Sequence, residues 1–116
     1  MRQDDTSVHR GSRGEDRAAD YLVENGYKII DRNWKTRYCE IDIVAKKKKV
    51  VVFCEVKYRS SGTQGKGYEY VTPKKLQQMS FAAEMWVHDH GHTGGYTLAV
   101  VSVDDDSITL IDEIWQ

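Results

Sequence analysis

Two runs rich in β-branched residues, 37–45 and 50–58, flank four consecutive lysines, Lys46, Lys47, Lys48 and Lys49. Val and Ile favour extended backbone, and a short charged break between two such runs predicts a hairpin. The runs carry Glu40, Asp42, Glu55 and Lys57 at every-other-residue spacing. Residues i and i+2 of a strand share a face, so each run gathers its charges on one side. Acids and a lysine are costly in strands this apolar unless they hold a cation or pair with one another. The pattern points to metal-dependent phosphodiester chemistry. The competing reading is a cross-strand ion-pair network on a solvated face. Against it stands the apolar content of residues 50–56, which predicts a central strand covered on both sides.

The register narrows the geometry. If Asp42 lies opposite Glu55, the turn occupies residues 47–50. A turn two residues tighter puts Glu40 opposite Glu55 and Asp42 opposite Phe53. Either register keeps the four charged residues on one face, because a two-residue slip preserves alternation. Neighbouring strands lie about 4.8 Å apart, close enough for Asp42 and Glu55 to share one ion. Mg²⁺ takes oxygen ligands at about 2.0–2.1 Å, often one or two carboxylates completed by water and substrate phosphate. Lys57 then stands where a cation can orient the attacking water or neutralise charge developing on phosphate.

The remaining chain supplies the scaffold. Residues 1–11 are polar and aperiodic and are expected to form a mobile tail, with a single domain over 12–116. A helix is expected from Ser12 to Gly26: Ser12-Arg13-Gly14-Glu15 fits a capping box, and Ala18, Ala19 and Leu22 form its apolar stripe. Glu15 shares that stripe's face, so its carboxylate either points toward the sheet or returns a capping bond to Ser12. Strands are expected at 28–34, 37–45 and 50–58, then a loop over 59–71 with Gly62, Gly65 and Gly67. Thr72-Pro73 predicts the cap and first position of a second helix, which Gly91 ends. Two more strands, 96–103 and 107–115, are expected around the turn at Asp104, Asp105 and Asp106. The order is αβββαββ, an α/β fold with a mixed sheet flanked by helices.

Charge is unevenly distributed. Residues 1–75 hold all 17 Lys and Arg against 11 acids, and residues 76–116 hold seven acids and no Lys or Arg. This predicts a basic working end and an acidic far end. Lys74 and Lys75 fall in the first turn of the second helix, where cations oppose the macrodipole unless an anion docks there. Arg32, Lys35, Arg37 and Arg59 cluster near the proposed site in sequence and could line a phosphate path. His88, His90 and His92 straddle a helix end with only Asp89 as an oxygen donor, a poor zinc set. Cys39 and Cys54 lack metal or redox spacing and are expected to be buried small hydrophobes. With no apolar leader and no membrane-length apolar run, the expected location is the cytoplasm.

Several segments together resemble the YraN family of bacterial proteins: Gly14-Glu15, Arg32-Asn33-Trp34, Glu40-Ile41-Asp42, residues 53–59, and Thr72-Pro73-Lys74-Lys75. That family is similar to archaeal Holliday junction resolvases and to the PD-(D/E)xK nuclease superfamily. The match runs in order over residues 11 to about 103. The resemblance implies a restriction-endonuclease-like core, with Asp42 as the metal-binding Asp and Glu55 with Lys57 as the ExK pair. It matches Glu15 to the helix glutamate of the resolvase-like branch. Cys39 stands where the family usually has Gly, and Cys54 where it commonly has Val; neither change removes a ligand.

The resulting expectation is a Mg²⁺- or Mn²⁺-dependent DNA endonuclease-like protein. Asp42, Glu55, Glu15 and the Val56 carbonyl would hold the metal. Lys57 would position water, and Glu40 would support its neighbours. Lys74, Lys75, Arg59, Arg32 and Arg37 would grip the backbone of a branched or repair intermediate, chosen by shape. A four-way junction would call for a two-fold homodimer. The alternatives are a nucleic-acid-binding module that keeps the fold without turnover, and a structural protein whose charged face is a salt-bridge lattice.

Overall fold

The computed structural model describes residues 6–58 and 71–112. In chain order the elements are α1 (Thr6–Glu24), β1 (Lys28–Lys35), β2 (Glu40–Lys47), β3 (Val50–Tyr58), α2 (Pro73–His90), β4 (Tyr96–Val103) and β5 (Ile108–Asp112). The strands form one five-stranded sheet in the order β1-β2-β3-β4-β5. β3 and β4 run parallel and the other neighbours antiparallel. A parallel pair needs a crossover, and α2 supplies it. The αβββαββ order is the one expected, and neither described helix is long and apolar enough to cross a membrane.

The helices take opposite faces. Ala18, Ala19 and Leu22 of α1 pack with Ile43, Ala45, Val52, Cys54, Ala99, Val101 and Val103. Met79, Ala82, Ala83 and Trp86 of α2 pack with Ile41, Val44, Val51, Phe53, Leu98 and Val100. Alternate residues of β3 therefore enter alternate layers, so both faces of this strand are covered. Cys54 is buried as expected, while Cys39 is only half-buried. At the start of α2, the Thr72 hydroxyl accepts from the Lys75 N–H at 3.0 Å. At its end, Gly91 adopts φ 64° and closes onto Val87 and His88 carbonyls.

Helix α1 begins earlier than expected. It is continuous from Thr6, so residues 6–11 belong to it rather than to a tail, and Ser12 is not its cap. A Ser and a Glu three positions apart are also ordinary neighbours along a helix, so the spacing alone does not fix a start. Residues 1–5, the glycines of 59–70 and the end of the last expected strand lie outside the described residues.

The expected strict alternation fails at Asp42. Ile41 packs on the α2 side and Ile43 on the α1 side, although regular pleating would place them together. Their β1 partners are Trp34 and Arg32. Between those two lies Asn33, with φ 54°. The break thus involves both strands, and on β1 it coincides with left-handed backbone at Asn33, which Asn tolerates better than most residues. A second irregularity between Ile29 and Asp31 leaves Ile30 as the extra residue of a bulge and turns Asp31 toward α2. The β2–β3 hairpin closes at Lys47↔Val50, with Lys48 at φ 57° in the turn.

The break at Asn33 gives a stability test. Asn33→Val, with a β-branched side chain forced to positive φ, should lose about 1–2 kcal/mol in urea unfolding. Asn33→Gly should stay within about 0.5 kcal/mol of the parent.

Candidate functional site

Backbone pairing between β2 and β3 ends at Ile43↔Cys54. The same register carried one step further places Asp42 opposite Glu55, the first of the two arrangements considered. There the strands part, and the Val56 N–H donates to Asp42 Oδ2 at 2.8 Å in place of a ladder bond. The Asp42 carboxyl is pushed up to about 6. Burial is the largest cause; the Val56 hydrogen bond works against it, and the negative charges of Glu55, Glu15 and Glu40 add to it. Those three acids come from β3, α1 and the start of β2, and each acts on Asp42 through its charge.

Glu15 reaches this place because α1 lies close on β3. A Cβ added at Gly14 would stand 3.1 Å from Tyr58 Cδ1 and 3.3 Å from Tyr58 Cβ. Gly14 therefore sets the distance between helix and strand. Since Ser12 lies within the helix, Glu15 is not tied up as a capping residue. Its Oε1 is 3.9 Å from Arg32 Nη2, which binds Asp16 Oδ1 more closely at 2.8 Å. Arg32 is thus engaged with the α1 acids rather than standing free along a phosphate path. Arg17 Nη1 donates to the Asp104 carbonyl at 2.7 Å and ties α1 to the β4–β5 turn.

On the α2 side, Lys75 Nζ lies 3.0 Å from Glu55 Oε2, so this lysine is paired with a candidate ligand. Lys74 is exposed beside it, and Arg37 lies at the β1–β2 turn, its guanidinium 5.6 Å from the Tyr38 ring centre. Lys57 is half-buried and makes no ion pair with the described residues. Arg59 lies outside the described residues. Of the three histidines, His90 and His92 make contacts at the far end of α2, and His88 is exposed. His90 stacks on Trp86 at 4.0 Å and its Nδ1 meets the Trp86 carbonyl at 2.9 Å. His92 Nε2 meets the Gly95 carbonyl at 3.2 Å.

The predicted separation of a basic end from an acidic end does not hold in space. Antiparallel pairing puts the Lys46–Lys49 turn at the start of β3, beside Gly94 and the start of β4. The site lies near the other end of β3. The acidic turn is at that same end, because Tyr58 pairs with Val103 just before Asp104. There the Tyr58 hydroxyl donates to Asp105 Oδ1 at 2.9 Å. Asp104 Oδ1 accepts from Asp106 N, Ser107 N and Ser107 Oγ, which holds its carboxyl below the usual range. Separation along the sequence did not translate into separation in space, since a parallel crossover returns β4 alongside β3.

The donor set suits a divalent cation in its chemistry. A half-buried carboxyl near 6 among three further acids is an arrangement that a doubly charged ion relieves. As they stand, the described residues contain no group of three or more His, Cys, Asp or Glu side chains placed to hold a metal. Loading would require Glu55 to exchange Lys75 for the ion. The sequence reading did not identify Tyr38, Phe81, Gln77 and Gln78. With Cys39, Glu40, Glu55, Lys75 and Met79 they line a cleft of about 430 Å³. Exposure of Tyr38 and Phe81 has no signature in a single sequence, because an aromatic at a turn or on a helix is as often buried.

Comparison with known proteins places this geometry in context. Residues 14–104 match the model of the uncharacterised protein family UPF0102. A UPF0102 protein of Tropheryma whipplei is 39% identical over 92 residues, covering 78% of this chain and 74% of that one. One from Chlorobium phaeobacteroides is 46% identical over 81 residues, covering 70% and 64%. The structure of Archaeoglobus fulgidus Hjc, a Holliday junction resolvase from an archaeal hyperthermophile, superposes with a TM-score of 0.52. It shares 16% identity and the match covers 86% of this chain and 74% of that one, so the likeness is one of fold. The match across nearly the whole described chain bears out the resemblance read from its motifs: the chain belongs to the uncharacterised protein family UPF0102.

Proposed function

We propose that this protein is a divalent-metal-dependent endonuclease acting on DNA phosphodiesters in branched or repair intermediates. The observation that carries the reading is Asp42. A carboxyl is held near 6 where the sheet opens, within electrostatic reach of Glu15, Glu40 and Glu55, and Lys57 stands on the neighbouring strand. Asp42, Glu55, Glu15 and the Val56 carbonyl would hold Mg²⁺ or Mn²⁺. When bound, such an ion supplies Lewis acidity to the phosphate and lowers the pKa of water. Lys57 orients the attacking water and balances charge on the phosphate oxygens. Lys75, Lys74, Arg37 and Arg59 bind the DNA backbone, and Arg32 braces Glu15 through α1. Cleaving a four-way junction symmetrically would require a two-fold dimer, and the proposed compartment is the cytoplasm.

The second reading is a nucleic-acid-binding module without turnover. It is favoured by the 3.0 Å pairing of Glu55 with Lys75, which satisfies a ligand carboxylate without a metal. A cleavage panel of single-stranded, duplex, flap and four-way-junction DNA with Mg²⁺ or Mn²⁺ separates the two. Asp42→Ala and Lys57→Ala should each lower nicking by roughly 10²-fold or more. Nicking that survives equally in both variants would sink the proposed site. Metal-independent DNA binding with no cleavage by the parent would favour the module.

The acid cluster also predicts a pH dependence. The Asp42 carboxyl ionises near 3.8 when unfolded and near 6 when folded. As pH rises from about 4 to about 6, the unfolded chain releases its proton first, so stability falls; above that window the full penalty is present. Asp42→Asn keeps an acceptor for the Val56 N–H and removes the charge. In the absence of divalent ions it should gain on the order of 1–3 kcal/mol over the parent at pH 7.5, and much less near pH 4. Thermal melts with Mn²⁺ complete the test: the ion should raise the melting temperature of the parent and leave that of Asp42→Asn unmoved.

A further inference from the structure

Tyr38 and Phe81 are the two aromatic rings most exposed among the described residues, at 71% and 46%, and they line the same cleft. One comes from the β1–β2 turn and the other from α2. Scattered exposed aromatics are ordinary on protein surfaces, but two facing one concavity of about 430 Å³ are not. The turn that presents Tyr38 is braced. The Thr36 hydroxyl accepts from the Tyr38 N–H at 3.0 Å, and the Thr36 N–H donates to the Cys39 carbonyl at 2.8 Å. Tyr38 is therefore held outward by a fixed backbone, and the Arg37 guanidinium lies 5.6 Å from its ring centre.

We propose that this cleft binds an unpaired nucleotide of a DNA strand, its base stacked on Tyr38 and Phe81. The proposal rests on the endonuclease reading for its substrate and extends it to the kind of DNA preferred. Four features of the cleft fit a nucleotide. Its volume lies within the range of about 300–1,000 Å³ seen for small-molecule sites. Its rings offer stacking surfaces that accept any base, and an arginine beside a ring is a common partner of both base and phosphate. The amides of Gln77 and Gln78 provide donors and acceptors for a base edge. Lys75 adds a cation at the same wall.

Continuity with the site fixes the direction. Glu55, a proposed metal ligand, and Glu40 line the cleft, and Glu55 follows Cys54, the residue paired with Ile43 next to Asp42. A strand whose scissile phosphate lies at Asp42 and Glu55 thus has the cleft within reach of its next base. A paired base reaches the cleft only by leaving its stack, at a cost of a few kcal/mol. Substrates with an unpaired nucleotide beside the cut, such as flaps, gaps and single strands, avoid that cost.

The test uses fluorescence anisotropy in EDTA, so that binding is read without cleavage. The probes are a labelled single-stranded oligodeoxynucleotide and a blunt duplex of equal length. The parent should bind the single strand at least about tenfold more tightly. Tyr38→Ala and Phe81→Ala should each weaken single-strand binding about tenfold and leave duplex binding within about twofold, while Tyr38→Phe keeps the parent affinity. A 2-aminopurine in the single strand should lose emission on binding the parent and keep it with the Tyr38→Ala/Phe81→Ala double variant. Thermal melts matching the parent establish that each variant is folded. No DNA binding by the parent, or single-strand binding unchanged in the double variant, overturns the proposal. Asp42-dependent cleavage indifferent to Tyr38 and Phe81 removes the cleft alone. Tyr38-dependent binding with no metal-dependent cleavage upholds the cleft and removes the endonuclease reading.

Discussion

Where β2 and β3 stop exchanging backbone hydrogen bonds, the Val56 N–H donates to the Asp42 carboxylate instead. The burial of Asp42 follows from that exchange. An N–H at the end of a ladder needs an acceptor, and a carboxylate that takes it is drawn into the sheet, away from water. Burial then lifts its pKa, and the acids of three elements lift it further. The hydrogen bond offsets only part of that cost. The fold therefore holds a carboxyl where its charge lowers stability at neutral pH.

The architecture was legible because it rests on local signals. Thr72-Pro73 and Gly91 bracket α2, β-branched runs mark β2, β3 and β4, and the apolar stretch of β3 signals a strand covered on both faces. The residue types of the site were legible for the same reason, since charge in an apolar strand stands out. Their arrangement was not. Two-residue periodicity assigns Ile41 and Ile43 to one face, but in the fold they enter opposite layers, across from the β1 residues that flank Asn33 at positive φ. The start of α1 was misplaced because a capping spacing and an interior helix spacing are identical in sequence. Lys75 was read as free for phosphate because its partner, Glu55, lies on a different element.

The two helices hold the site in different ways. α1 contributes by close approach: Gly14 has no side chain to keep Tyr58 away, so the next residue, Glu15, comes within reach of Asp42's charge. Arg17 on the same helix fixes the β4–β5 turn. α2 contributes by its N-terminus, where the Thr72 cap and the Lys75–Glu55 pair set the first turn beside β3. A change in α1 packing would alter the acid cluster, whereas a change at the start of α2 would alter the balance between lysine and ligand.

Charge placement restricts how a polyanion can approach. The tetralysine turn lies at the end of the sheet away from Asp42, so under the proposed function it could not neutralise a phosphate there. The acidic β4–β5 turn lies at the site's own end, with its first two carboxylates engaged by Ser107 and Tyr58. A strand entering over that turn would meet Asp104, Asp105 and Asp106. Entry over the start of α2 meets Lys74 and Lys75, the positive end of the helix dipole, and then Arg37 beside Tyr38. The cationic route therefore leads along the aromatic cleft before it reaches the carboxylates. If the protein acts on DNA as proposed, a strand taking that route would pass its bases over Tyr38 and Phe81 before a phosphate reached Asp42.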